Sequence, residues 1–206
     1  MSQKKIRIPQ QKRSIEKKEE IVTAAFRVFN KKGYFATYTD DIAEEAGLSV
    51  GCIYSYFHDK KDILLDCLNR SKQIITNDMC NELANISGTG DIFKTVKNVL
   101  FILIKFHTDQ TRLFHDEVNS LQFRDEEIRN YFADTRKVMM ETITGEIERH
   151  GYAFLHPREQ TFLLWQMVDS IQDELAFGRS TDINHDVLIE DSARLIISML
   201  TKIESH

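Results

Sequence analysis

Hydroxyl side chains are concentrated in one short stretch of the sequence, where Ser49 is followed by Tyr54, Ser55 and Tyr56. Serine and tyrosine hydroxyls, like the free amides at the start of a helix, bind phosphate oxygens. Such contacts fix the position of a protein on a nucleic acid without reading its base sequence. The stretch therefore predicts a phosphate-binding surface, and we expect no catalytic residue, no metal and no cofactor.

Two short helices must position these hydroxyls. A T-x-x-D start signal at Thr37 begins a helix that reaches about Ala46, and Gly47 ends it. Ser49 is a suitable cap for a second helix that reaches residue 56 or 57. Its apolar residues Ile53 and Phe57 lie four apart and are expected to face inward. Two short helices joined by such a turn are typical of a helix-turn-helix, whose second helix enters the major groove of DNA.

The charge of the chain is unevenly distributed. Residues 1–72 contain 14 Lys and Arg against 10 Asp and Glu, a net charge of +4. Residues 73–206 contain 13 against 22, a net charge of −9. Residues 1–18 alone carry +6, from seven basic residues and one acidic residue. A basic amino-terminal segment on an acidic body indicates that this segment meets a polyanion, although a solvated terminal tail has the same composition.

The spacing of apolar residues predicts an all-α chain. Ile21, Ala24, Ala25, Val28 and Phe29 form one face of a first helix that ends at Gly33. Further helices are expected over residues 59–80, 91–107, 111–121, 125–150, 158–177 and 185–203. A Ser-Gly-Thr-Gly segment at 87–90 is the clearest linker. No apolar run is long enough to span a membrane, and no secretory signal is present, so we expect a cytoplasmic protein.

The amino-terminal segment resembles the TetR (tetracycline repressor) family of transcriptional regulators over residues 18–68. The matching residues are Gly33-Tyr34, Thr37, Ile42-Ala43, Ala46-Gly47-Leu48-Ser49, Gly51, Ile53-Tyr54, Tyr56-Phe57, Lys60 and Ile63-Leu64. The resemblance implies a basic flexible arm at 1–17, a helix-turn-helix DNA-binding domain at 18–68, and a helical effector-binding and dimerisation domain at 69–206. It implies a homodimer on a double-stranded, palindromic DNA operator, typically a repressor released by a small-molecule effector.

The resemblance also implies roles for individual residues of the helix-turn-helix. It implies phosphate contacts for Thr37, Thr39, Tyr54, Tyr56 and Lys60. It places Ser49, Val50, Gly51 and Cys52 at the start of the recognition helix, where base edges are read, and Ser55 lies on the same outward face. Val50 and Cys52 depart from the polar or basic residues usual in the family. Neither side chain can form a bidentate hydrogen bond with a base, so they offer apolar contact only.

Helix 158–177 carries two stripes, an apolar one from Leu164 to Leu175 and a second that includes Phe162, Trp165, Asp169 and Gln172. The pattern does not assign one stripe to a partner subunit and the other to the helix's own domain. A tryptophan near an aspartate and a glutamine is typical of a largely apolar ligand cavity. The candidate effector-binding residues are Phe101, Phe106, His107, Phe114, Asn119, Gln122, Phe123, Met139, Trp165, Asp169 and Gln172. They favour an apolar or amphipathic effector, such as a drug-like compound or a fatty acyl-CoA.

Two alternatives belong to other classes of protein. His107, His115, Asp116 and Asp169 could supply the ligands of an all-α, HD-type metal-dependent phosphohydrolase. The chain could also be a helical protein-interaction module whose helix-turn-helix pattern is accidental. Salt-sensitive binding to duplex DNA separates a regulator from both alternatives.

Overall fold

The computed structural model describes residues 12–84, 91–108, 110–178, 180 and 182–203, without the side chains of residues 106–108. Most of these residues are helical, and two short strands complete the fold. The elements are α1 (Lys12–Lys32), α2 (Thr39–Ala46), α3 (Val50–Ile53), α4 (Lys60–Ala84), α5 (Ile92–Thr108), α6 (Arg112–Arg124), α7 (Glu126–Arg149), β1 (Tyr152–Phe154), α8 (Pro157–Phe177), α9 (His185–Ser198) and β2 (Leu200–Lys202). No helix in these ranges is long and apolar enough to cross a membrane.

The chain divides into two compact units whose boundary differs from the one predicted. Unit 1 takes residues 1–72 together with 110–129, and unit 2 takes 73–109 and 130–206. The sequence placed everything beyond residue 68 in one carboxy-terminal domain. The structure instead adds α6 to the unit that contains α1, α2 and α3.

Helix α1 buries the apolar face that its sequence predicts. Ile21, Ala25 and Phe29 are fully buried on this face. The helix begins at Lys12, so residues 12–17, which the sequence assigned to a flexible arm, are helical. Residues 1–11 of the predicted arm lie outside the described residues.

Helix α6 packs against α1 through aromatic rings. The ring of Phe114 stacks on that of Phe29, with centroids 5.6 Å apart, and meets the edge of Phe26 at 6.0 Å. At the start of α6, the Thr111 amide donates to Asn30 Oδ1 and the Thr111 hydroxyl donates to the Asn30 carbonyl, both at 2.8 Å. An apolar stack and paired hydrogen bonds therefore fix α6 on the carboxy-terminal half of α1.

Gly33 ends α1 at a position that no other residue would occupy without strain. Its φ of +81° lies in the left-handed region. A Cβ there would lie 2.7 Å from Oε2 of Glu117, and that same oxygen accepts a hydrogen bond from the Phe35 amide at 2.9 Å. The missing side chain of Gly33 thus leaves room for a carboxylate of α6 to bind the backbone that leads into α2.

Unit 2 has a core formed by α5, α8 and α9 together with the end of α7. Its buried residues are Val96, Leu100, Ile147, Phe154, Leu164, Ile189, Ala193 and Ile196. The predicted helix over 185–203 is wrong at its end, because α9 stops at Ser198 and Leu200–Lys202 pairs antiparallel with Tyr152–Phe154. Ile203, immediately after this strand, is linked to the same hairpin, since its amide donates to the carbonyl of Gly151 at 2.8 Å.

Asp125 at the start of α7 gives unit 1 a pH-dependent contact. Its Oδ1 accepts hydrogen bonds from the amides of Glu127 and Ile128, and its Oδ2 lies 3.2 Å from the Lys61 Nζ. The Ile128 amide, with the neighbouring Lys61 ammonium, lowers the pKa of Asp125. A lowered pKa in the folded state means that this stabilisation is complete above the unfolded pKa of about 3.9 and is lost as the pH falls through the folded value.

We therefore expect Asp125→Ala to lower the free energy of unfolding at about pH 6 and to have little effect at about pH 2. Urea unfolding of both proteins across this range measures the difference. Asp134→Ala is a suitable control, because that aspartate is exposed within the same helix. A deficit that stayed constant down to the lowest pH would contradict the role of the ionised carboxylate.

Candidate nucleic-acid interface and internal cavity

Helices α2 and α3 meet at a tight turn. Gly47 adopts φ +64°, and the amide of Leu48 donates to the carbonyl of Ala43 at 2.9 Å. The side chain of Ser49 then caps α3 by accepting a hydrogen bond from the Cys52 amide at 3.2 Å, as the sequence predicts. Ile53 and Phe57 are buried, which also agrees with the prediction and fixes α3 on the body of unit 1.

The start of α2 differs from the sequence prediction. The helix begins at Thr39, and the carboxylate of Asp41 accepts the Tyr38 amide at 2.7 Å. The Lys32 ammonium lies 2.5 Å from the same carboxylate oxygen, and it lowers the pKa of Asp41. An ionised Asp41 therefore holds the first turn of α2, and Thr37 is not its cap.

One face of the helix pair is open to solvent and carries hydroxyl groups. Ser49 and Gly51 are exposed, and Tyr54 is 43% exposed. The Tyr54 hydroxyl donates to Thr39 Oγ1 at 3.4 Å, which brings two predicted phosphate ligands together across the two helices. Val50, Cys52 and Ser55 are half-buried beside them.

The sequence did not identify Tyr38 as part of this surface. Tyr38 is 70% exposed immediately before α2, and its place ahead of a helix start was the only available signal for it. A Cβ added at Gly51 would have no atom within 4 Å, so the recognition helix has open space above this residue.

Two predicted phosphate ligands are turned inward instead. Thr37 is fully buried, and its hydroxyl donates to the Gly33 carbonyl at 2.5 Å. Tyr56 is only 9% exposed, and its hydroxyl accepts a hydrogen bond from Ser14 at 3.3 Å. The prediction that Tyr56 faces outward is therefore wrong, because its side chain packs against α1. Phosphate contact by Thr37 and Tyr56 stays a prediction.

Lys60 also has an internal role. Its ammonium donates to the carbonyls of Tyr34 and Thr37, both at 2.6 Å, and lies 4.3 Å from the centre of the Tyr34 ring. Burial lowers the pKa of this amine. The side chain thus ties the start of α4 to the connection between α1 and α2, and the predicted phosphate clamp is engaged elsewhere.

We expect Tyr54→Phe to weaken binding to duplex DNA about tenfold, equally for all base sequences, because it removes a hydroxyl that can donate to a phosphate. Fluorescence anisotropy with two unrelated DNA sequences measures both effects. Tyr56→Phe is the matched control and should change affinity by less than about threefold, since its side chain is only 9% exposed. A larger loss for Tyr56→Phe than for Tyr54→Phe would contradict this assignment.

Unit 2 contains a cavity of about 80 Å³. All but two of the lining residues that the structure describes are apolar. They are Met79, Leu83, Val96, Val99, Leu100, Leu103, Met139, Met140, Ile143, Ile147, Leu164, Trp165, Val168, Asp169, Gln172 and Ile196. An apolar cavity with a few polar groups is the usual form of a small-molecule site.

Helix α8 supplies the two polar residues of this cavity. Asp169 is exposed, whereas Gln172 is only 6% exposed. Trp165 lines the same wall, and the guanidinium of Arg136 lies 5.1 Å from its ring centre. The chain has a single tryptophan, so its fluorescence reports on this wall alone.

Four of the predicted effector residues line the cavity, namely Met139, Trp165, Asp169 and Gln172. Four other predicted residues, Phe101, Phe123, Asn119 and Gln122, and the further candidate Phe114 are not among the described lining residues. Phe101 is exposed, and Phe123 is 83% exposed. Asn119 and Gln122 belong to unit 1 and bond to each other at 3.0 Å, while Phe114 is in the core of that unit. The side chains of Phe106 and His107 lie outside the described residues.

The sequence did not identify the aliphatic wall of the cavity, because residues such as Leu100 and Ile147 have the same spacing as any other core residues. Residues from both stripes of α8 line the cavity. Leu164 belongs to the unit 2 core and also lines the cavity, together with Trp165 and Gln172. The apolar residues that remain exposed on α8 are Phe162 and Leu163.

No group of three or more His, Cys, Asp or Glu side chains within the described ranges is placed to hold a metal ion. His115, one of the ligands considered for a phosphohydrolase, is buried, with its ring 3.3 Å from the Asn119 amide nitrogen. The phosphohydrolase alternative therefore has no cluster of metal ligands among the described residues.

A capped recognition helix, a left-handed glycine turn and a supporting helix buried on its inner face define a helix-turn-helix protein. The family model for bacterial regulatory proteins of the tetR family matches residues 21–67, which include all three features. Residues 21–67 are therefore a DNA-binding domain of the TetR type, and both this match and the all-α fold agree with the sequence predictions.

Two curated relatives have similar sequences. The uncharacterized HTH-type transcriptional regulator YerO of Bacillus subtilis (strain 168) is 33% identical over 62% of this chain and 43% of its own length. The HTH-type transcriptional regulator HbdR of Aromatoleum sp. (strain CIB) is 47% identical over 24% of this chain and 21% of its own. The matched segments thus span less than half the length of these relatives.

Solved structures match nearly the whole chain at low identity, and they establish the fold alone. A TetR-family regulator described as putative, from Mesorhizobium loti, has a TM-score of 0.72 at 18% identity over 92% of this chain and 99% of its own. A TetR transcription regulator from Haloarcula marismortui also has a TM-score of 0.72 at 18% identity, over 91% and 100%. A transcriptional regulator from Saccharomonospora viridis in complex with choline has a TM-score of 0.65 at 20% identity, over 93% and 100%.

Proposed function

We propose that this protein binds a palindromic double-stranded DNA operator as a homodimer and is released from it by a small, largely apolar effector, so that it acts as a repressor. The observation that carries the DNA-binding part is the exposed hydroxyl face of Thr39, Ser49 and Tyr54 at the helix-turn-helix. Hydroxyls and helix-start amides on one open face suit the phosphates that flank a major groove.

The homodimer is supported by exposed apolar residues of unit 2. Phe162 and Leu163 are exposed on α8, and Val187 and Leu195 are exposed on α9, where a second copy could bury them. A symmetric dimer presents two recognition helices, which a palindromic operator accepts when its half-sites lie about 34–36 Å apart.

This dimer surface can be tested separately from DNA binding. We expect Leu163→Glu to give a monomer in light scattering at low micromolar concentration, because it places a charge in an apolar interface. Gln166→Glu is the matched control, since Gln166 is also exposed on α8 but is polar. A dimer that survived Leu163→Glu would place the interface elsewhere.

The effector part is supported by the apolar cavity of unit 2. Helix α4 has residues in both units, so a ligand that shifts its second half can alter the first through one continuous helix. Such coupling is typically worth about 1–3 kcal/mol, and DNA must then weaken effector binding by the same factor.

The decisive experiment is a titration of DNA from around the protein's own gene, at two salt concentrations. We expect tight, sequence-selective binding that weakens steeply with salt, because several phosphates are neutralised or hydrogen-bonded. Binding that did not depend on salt or on sequence would contradict the proposal. Operator affinity that stayed unchanged with a saturating cavity ligand would contradict the effector mechanism alone.

A further inference from the structure

We infer that the effector is an amphipathic anion, with an apolar body and one carboxylate, and that Arg136 of α7 binds this carboxylate. The inference deepens the proposed function and rests on it, since it names the chemistry of the ligand that the cavity of unit 2 accepts.

The first observation is the state of Arg136. Among the described residues, its buried Nε has no hydrogen-bond partner, and no Asp or Glu forms an ion pair with its guanidinium. The guanidinium lies 5.1 Å from the centre of the Trp165 ring. A guanidinium stays ionised at neutral pH and presents its N–H donors in a planar fork. A carboxylate can accept two of these N–H groups at once, which makes it the strongest partner for such a side chain.

The second observation is the place of Arg136 beside the cavity. Arg136 precedes Met139 and Met140 by one turn of α7, and both methionines line the cavity. Trp165 of α8 lines the cavity and also contacts the guanidinium. A ligand whose apolar body occupies the cavity can therefore place its head group beside Arg136, at the wall that Trp165 forms.

A second charge at the cavity acts in the opposite direction. Asp169 is the one charged residue among the described lining residues, and it would repel an anion. Asp169 is exposed and takes part in another interaction, so water screens its charge. Arg136 is half-buried, and charges act more strongly on each other where water is excluded. The attraction by Arg136 therefore exceeds the repulsion by Asp169, and a cationic ligand meets an unfavourable charge.

The third observation concerns the apolar body. The cavity volume of about 80 Å³ is roughly half that of an engineered apolar cavity that holds benzene. Three methionines, Met79, Met139 and Met140, form part of the wall. Methionine is unbranched and adaptable, so these side chains can move to admit a body larger than the present cavity. A short alkyl or aryl acid meets these requirements.

The experiment uses the full-length protein without DNA and follows the fluorescence of Trp165, whose ring contacts Arg136. The probes share an eight-carbon chain and differ in their head group: octanoate, octanamide and octyltrimethylammonium. At about pH 7 octanoate is anionic, whereas octanamide has nearly the same shape without the charge. We expect octanoate to bind at least about tenfold more tightly than octanamide, and octyltrimethylammonium to bind most weakly.

The role of Arg136 is tested by Arg136→Met, which removes the charge and keeps an unbranched side chain beside Trp165. Arg136→Gln is a second uncharged variant in case the first fails to fold. Each should weaken octanoate binding about tenfold and change octanamide binding by less than about threefold. Lys137→Met is the matched control, because it removes the same charge from an exposed neighbour on α7, and it should leave octanoate binding within about threefold.

The inference is overturned if octanamide or octyltrimethylammonium binds as tightly as octanoate, if octanoate does not bind, or if a folded Arg136 variant retains full affinity for octanoate. These results are independent of the operator titration. Octanoate binding through Arg136 without any change in operator affinity would contradict the regulatory proposal and support the ligand class. Release of the operator by a neutral or cationic probe, with no preference for octanoate, would support regulation and overturn the inference.

Discussion

Phe114→Ala is expected to lower the free energy of unfolding of unit 1 by about 3–5 kcal/mol, the usual cost of removing a fully buried phenylalanine. Phe114 is 1% exposed and contacts the rings of Phe29 and Phe26 in α1. The substitution lies far from the helix-turn-helix in sequence, yet it removes the aromatic stack that fixes α6 on α1. We therefore expect DNA affinity to fall together with stability.

Urea unfolding combined with hydrogen exchange measures this effect by region. Protection of the α1 amides should decrease, because that helix loses its packing partner. Leu113→Ala is the control, since Leu113 is the exposed neighbour of Phe114, and its replacement should change stability by about 0.5 kcal/mol or less. A loss of protection confined to unit 2 would show that α6 belongs with the other unit.

Lys60→Met is expected to destabilise unit 1 by roughly 2–4 kcal/mol, which is more than the loss of an exposed lysine would cost. The ammonium binds two carbonyls at 2.6 Å between α1 and α2, and methionine leaves both without this donor. Because the same connection leads into Thr39, we also expect DNA binding to weaken by more than tenfold.

The stability measurement separates this structural role from a phosphate contact. A lysine that only binds phosphate can be replaced without lowering the free energy of unfolding, although DNA binding weakens. Lys31→Met is the control, since Lys31 is exposed in the last turn of α1. If Lys60→Met weakens DNA binding but leaves thermal unfolding unchanged, Lys60 acts as the phosphate contact that the sequence predicted and not as a structural link.

The sequence predicts the local parts of this fold well, because they depend on neighbouring residues. The apolar face of α1, the cap of Ser49 on α3 and the inward direction of Ile53 and Phe57 each follow from spacing over one or two helical turns. The family resemblance, carried by the same segment, is confirmed by the family model over residues 21–67.

The roles of Thr37 and Lys60 could not be predicted, since their partners are fixed by tertiary structure. Both Thr37 and Tyr38 stand three residues before an aspartate, so either could begin α2. The left-handed turn at Gly33 decides between them, because it brings a carbonyl within 2.5 Å of the Thr37 hydroxyl. The carbonyls that bind Lys60 lie more than twenty residues earlier in the chain.

The sequence predicted the lining residues of the cavity mainly at and beside polar positions of α8. Gln172 and Asp169 stood out from an apolar helix, and Trp165 lay beside them. The aliphatic lining residues have no polar neighbour that distinguishes them from other core residues. Of the predicted aromatic residues, Phe114 is buried in unit 1, and Phe101 and Phe123 are exposed to solvent. Strand β2 was not predicted either, because Leu200–Lys202 forms a strand by pairing with Tyr152–Phe154, which is distant in sequence.

The open space above Gly51 has a consequence for how such a protein changes over evolutionary time. Gly51 is exposed in the recognition helix, and a side chain added there would meet no atom within 4 Å. Most residues favour a helix over glycine by a few tenths to about 1 kcal/mol, so substitutions at this position should not reduce stability. Descendants of this gene could therefore acquire a base-reading side chain, and with it new target promoters, through a single codon change.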